Sequence, residues 1–112
     1  MRTVESATDA ADPMVRLPLT REVRSLQEAR AAIDEVDAAL ALLLARRAEL
    51  AGAVQRLKPV GGFAGRDPHR ERQIVEAMAR RAPALGVDRL ARIMNAVIEA
   101  GLEAAEDARE AR

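Results

Sequence analysis

The chain has 112 residues, 49% of them hydrophobic, with Phe63 as its one aromatic side chain, no cysteine and a formal net charge of zero. These figures exclude disulfide and thiolate chemistry. They give no basic footprint for nucleic acid or a membrane surface, and they require a core of Leu, Ile, Val, Met and Ala. No stretch reads as a signal peptide or a membrane span, so the expectation is a cytoplasmic, all-α domain.

Residues 1–25 mix Thr, Ser and Asp with Pro13 and Pro18 and show no helical period, which reads as a flexible leader. Val15, Leu17 and Leu19 are its candidate docking side chains. A first helix is expected from about Ser25 to Lys58, where Pro59 blocks continuation. Two heptad rows run along it. One is Leu26, Ile33, Leu40, Arg47, Val54; the other is Ala29, Val36, Leu43, Leu50, Leu57. Such rows form the seam of a coiled coil. At ~1.5 Å per residue this helix is about 50 Å long. That length overhangs any core a chain of this size can build alone, and dimerisation is the economical remedy.

Arg47 interrupts the first row. A charge at a seam position is expensive to bury unless something anionic meets it or the side chain snorkels to water. Lys58, three helical turns further on, lies on nearly the same face. Arg30 precedes Arg47 by about 25 Å along the axis, too far for both to hold one small molecule within a chain. In an antiparallel dimer, Arg30 of one subunit can meet Arg47 and Lys58 of the other.

Residues 59–65 form a loop by composition, without the Gly-Lys-Ser/Thr ending of a phosphate-binding loop. Asp67 as N-cap and Pro68 at the first helical position then start a second helix, expected to end near Arg81 before Pro83. Glu71 projects on the face of Ile74, Val75 and Met78, which should be buried. It serves either a ligand or, as a purely structural partner, Arg47. A third helix, capped by Asp88, is expected to run into the charged C-terminal end at 107–112.

Taken together, the stretches Ala29–Asp37 and Leu42–Ala51, then Lys58 and Arg66-Asp67-Pro68-His69-Arg70-Glu71, carry charged residues at fixed intervals over some forty positions. From Leu26 to about Glu106 the chain resembles the all-helical (AroQ-class) chorismate mutases. The resemblance implies a domain over residues 26–106. It also implies an intertwined homodimer with long crossing first helices and two sites that convert chorismate to prephenate without a cofactor or metal. By the same resemblance, Arg47 and Arg30 of the partner subunit bind the two substrate carboxylates, and Lys58 hydrogen-bonds the ether oxygen. Glu71 with Asp67 holds the ring hydroxyl, Arg70 supports the carboxylate side, and Val54 and Ile74 wall the pocket. A rearrangement of this kind needs no nucleophile or proton shuttle, which suits a chain with no Cys and one His. His69 is read as a surface residue.

The third helix departs from the family pattern. The pocket-facing serine and glutamine of that pattern fall on Gly101 and Ala105, and a one-residue adjustment would bring Glu106 into the glutamine's place as a protonated donor. Three other readings follow. One is a mutase of 4-amino-4-deoxychorismate, whose amine would meet Asp67 and Glu71. Another is a lyase releasing pyruvate from isochorismate. The third is a non-catalytic helical dimer that partners another shikimate-pathway enzyme.

Overall fold

A computed structural model describes residues 17–58 and 66–111. The expected leader up to residue 16 and the glycine-containing loop 59–65 lie outside the described residues. Those described form a short 3-10 turn at Thr20–Glu22 and three α-helices: α1 (Leu26–Leu57), α2 (Pro68–Arg81) and α3 (Gly86–Glu110). The fold is all-α, as the aliphatic composition requires. The chain divides within α1 into two compact units, 1–44 and 45–112.

In the first unit, α1 begins where Ser25 caps it. Ser25 Oγ accepts the backbone N–H of Glu28 at 3.0 Å, and the Glu28 carboxylate accepts the N–H of Arg24 at 2.8 Å. One of the donors that a helix start leaves without partners is thereby satisfied, along with the N–H just before the cap, in a variant of the capping box. The seam side chains Leu26, Ile33, Val36, Leu40 and Leu43 are all exposed, Ile33 to 57%. Among the described residues, this portion of α1 thus carries the heptad pattern on an exposed face.

The second unit holds the rest of α1 with α2 and α3. Its core is Val75 from α2 with Leu90 and Met94 from α3, surrounded by Ile74, Met78, Ala79, Ala82, Val97 and Ile98. The spacing of Ile74, Val75 and Met78 puts one face of α2 onto α3, as periodicity predicts. The last turns of α1 approach α3 closely through small residues. A Cβ placed on Gly52 would stand 3.8 Å from Ala105 Cβ, and one on Gly101 would stand 3.9 Å from both the Ala48 Cα and the Ala51 Cβ. On the seam side, Leu50 and Val54 remain 60% and 53% exposed.

The start of α3 differs from the expected Asp88 cap. The helix begins three residues earlier, at Gly86, and Leu85 occupies the cap position without a side-chain hydrogen bond. The reason is the turn that precedes it. The N–H groups of Leu85 and Gly86 both donate to Ala82 O, at 3.0 and 3.3 Å, and Gly86 takes φ +78°, a left-handed value that L side chains rarely adopt. Asp88 instead sits in the first turn, where a carboxylate is favoured by the positive end of the helix dipole.

Two glycine substitutions should therefore move stability in opposite directions. Gly86→Ala should destabilise by ~1 kcal/mol or more, because its backbone is left-handed even though the surrounding space is open. Gly52→Ala should stabilise by about 0.5–1 kcal/mol, since the added methyl makes only ordinary contacts and the helix interior gains a better helix former. Thermal unfolding followed by circular dichroism reads both, and shifts of the same sign would contradict this account.

Candidate active site

The mouth of α2 is set by its cap. Asp67 has extended backbone angles, and its Oδ1 accepts the backbone N–H of Arg70 at 3.1 Å. Pro68 follows, where the absence of an N–H does no harm. The cap fixes which way the first turn faces, and so where Glu71, half-buried, is held. Arg70, in the same turn, is exposed, as is His69.

Glu71 is engaged by Arg66, one residue before the cap. Arg66 Nε donates to one carboxylate oxygen at 2.9 Å and Nη2 donates to the other at 2.7 Å, a two-toothed pair. The remaining terminal nitrogen, Nη1, lies 3.7 Å from Glu99 of α3. Arg66 therefore links the α2 mouth to α3. The partner of Glu71 is this arginine and not Arg47, the structural partner expected from the sequence. The hydrogen bonds from Arg66 hold the Glu71 carboxyl below its usual range, against a smaller opposing effect of desolvation. The same pairing raises Arg66. Glu71 is thus an ionised acceptor, able to take a hydrogen bond from a ligand but not to give one.

The remaining expected site residues are distributed as follows. Arg30 lies in the first unit and is exposed; Arg47 and Lys58 are half-buried in the second. Val54 is exposed on the Arg47 row, and Ile74 is half-buried beside the small core. Gly101 and Ala105 lie where α3 meets α1, Gly101 buried there. Glu106 is exposed and accepts a hydrogen bond from Arg109, one helical turn further on. Ala105, Glu106 and Arg109 line a groove of about 620 Å³ with Gly52, Gln55 and Arg56 of α1. The structure thus brings Asp67, Arg70 and Glu71 together at the α2 mouth, and Gly101 and Ala105 together against α1.

Sequence reasoning missed Arg66 and Glu99. Arg66 stands five residues before Glu71, a spacing that shares no helix face. The available signal was its place next to an Asp-Pro helix start, where a side chain can fold back over the first turn. Among the described residues, no group of His, Asp and Glu is arranged to hold a metal ion, and no helix is long and apolar enough to cross a membrane.

The class defined so far is an all-α domain with paired charges at the mouth of α2. The comparison with protein families makes the class specific. The family described as chorismate mutase type II matches residues 29–106, well over half of the chain and the whole span of the expected site. The chain belongs to the chorismate mutase type II family, whose activity is that of an isomerase. Comparisons with curated proteins and with solved structures gave no match.

The Glu71 shift gives a pH signature. A carboxylate whose folded pKa is depressed contributes stability that is fully present above the unfolded value, about 4.3 for Glu. That contribution is lost as pH falls through the folded value. Wild type should therefore melt above Glu71→Gln at neutral pH, and the gap should close on acidification below about pH 4. A gap in Tm that stays constant from neutral to acid pH would show that the pair has no such differential effect.

Proposed function

We propose that this chain catalyses the rearrangement of chorismate to prephenate, as a homodimer with two equivalent sites that each draw residues from both subunits. The observation that carries this reading is the family match, which spans every residue assigned to the chemistry, from Arg30 to Glu106. The uncovered heptad rows of α1 support the dimer. Leu26, Ile33, Leu40, Leu50 and Val54 stand exposed in a single chain, and each is worth ~1.5–3 kcal/mol when fully buried. A second copy of the same seam is a self-complementary cover for them.

In the proposed site, Arg47 and Arg30 of the partner subunit bind the two carboxylates of chorismate. They thereby fold its flexible enolpyruvyl arm over the ring, and this restriction supplies much of the rate enhancement in a unimolecular rearrangement. Lys58 donates to the ether oxygen, where negative charge grows as the C–O bond breaks and the new C–C bond forms. Glu71, ionised and held by Arg66, accepts from the ring hydroxyl, with Asp67 beside it and Arg70 toward the carboxylate side. Val54 and Ile74 supply apolar wall. Ala105 offers no donor to the ether oxygen, so in this reading Lys58 is the donor, with Glu106, paired with Arg109, as the residue that would substitute for the family glutamine if protonated.

A time course of purified protein with chorismate, its products separated by chromatography, tests the activity. Prephenate formed well above the spontaneous rate is expected, and none would refute the reading. Arg47→Ala and Lys58→Ala should each lower kcat/KM by about 10²–10³ while leaving helix content unchanged. Near-full turnover in the lysine variant would contradict the assigned mechanism.

A further inference from the structure

The α2 mouth carries a charge balance that bears on which substrate it accepts. Asp67 and Glu71 contribute two negative charges there, and Arg66 and Arg70 contribute two positive ones. Asp67 is further compensated by its position at a helix N-terminus, where its Oδ1 accepts from Arg70 N. Glu71 has both oxygens on Arg66. Glu99, facing Arg66 from α3 at 3.7 Å, adds a charge that is 57% exposed and screened by water. Without Arg66, the two carboxylates would form a net anionic end suited to a cation. With it, they form a nearly neutral set of acceptors whose oxygens keep lone pairs for one donor.

Resting on the reading of this site as one for chorismate, we propose that Arg66 is a positioning residue that sets specificity. By pairing with Glu71 it makes the ring-binding end select an uncharged hydroxyl and reject an ammonium at the same ring carbon. The fork fixes the carboxylate plane and leaves one lone pair per oxygen for the ligand, and a hydroxyl needs no more than that. An ammonium brings a full charge that must be desolvated. Here its nearest counter-charge is already satisfied by a guanidinium, which repels it. Arg66 acts through Glu71 and needs no contact with the substrate.

The test is the ratio of kcat/KM for chorismate to kcat/KM for 4-amino-4-deoxychorismate, measured on the full chain and three variants, with helix content checked for each. The unaltered chain should prefer chorismate. Arg66→Gln should shift the ratio toward the amine by about tenfold or more, the scale of one hydrogen bond to a charged group. Arg66→Lys, which keeps the charge but loses the fork, should preserve the preference while raising KM. Glu99→Gln removes an exposed negative charge and should move the ratio the other way, by about twofold. If Arg66→Gln does not fold, the lysine and Glu99 variants still decide the matter. An unchanged ratio in the folded Arg66→Gln, or a Glu99→Gln shift toward the amine, would overturn the inference and leave the mutase reading intact. An unaltered chain that prefers the amine overturns it as well. Turnover of neither substrate overturns the mutase reading and this assignment with it.

Discussion

The structure depends on how the apolar seam of α1 is covered. Among the described residues, one chain buries Val75, Leu90 and Met94 as a core, while Ile33, Leu40, Leu50 and Val54 of the seam stay in contact with water. Among the described residues, the large apolar side chains left outside outnumber those that are buried. Apolar surface in that arrangement is unfavourable in an isolated chain and favourable once paired. The proposed dimer follows from this imbalance, as does the placing of charge on the seam. A seam that joins two copies brings residues far apart along one helix into reach across the joint, as proposed for Arg30 and Arg47. In this account, folding and formation of the site are one event.

At the α2 mouth, local chemistry sets the arrangement of the charges. The Asp67 cap and Pro68 settle where the helix begins and so how its first turn is oriented. That orientation carries Glu71 to Arg66, whose two donors keep the carboxylate ionised and fixed in plane. A rearrangement without proton transfer benefits from groups that hold one protonation state, because its barrier is lowered by fixed charges and a restricted substrate conformation. The cap and the fork together position a single acceptor, and Glu99 lies near Arg66 on its far side.

Much of this was legible in the sequence where the signals are local. The bounds of α2 follow from Asp67-Pro68 at one end and the approach of Pro83 at the other, and the structure gives Pro68–Arg81. The length of α1 follows from its heptads and from Pro59. The start of α3 was misread, because Asp88 is a good cap residue by type and the left-handed turn at Gly86 forestalls it. Arg66 and Glu99 went unread because their pairing crosses elements and follows no helical period. The packing of Gly52 on Ala105, and of Gly101 on Ala48 and Ala51, was hidden for a related reason. Small residues advertise close approach only once the opposing helix is known. The family resemblance adds an expectation that periodicity does not carry, namely which of many surface charges form one site.

The central claim is that each site is completed by two chains, and mixing two inactive variants tests it most directly. Arg30→Ala and Arg47→Ala are each purified, combined under conditions that allow subunits to exchange, and assayed for prephenate formation. Random pairing makes half of the dimers mixed, and one of the two sites in each mixed dimer then carries both arginines, so recovery of about one quarter of wild-type activity is predicted. A mixture as inactive as its parents, with subunit exchange verified independently, would contradict shared sites and return the chemistry to single chains.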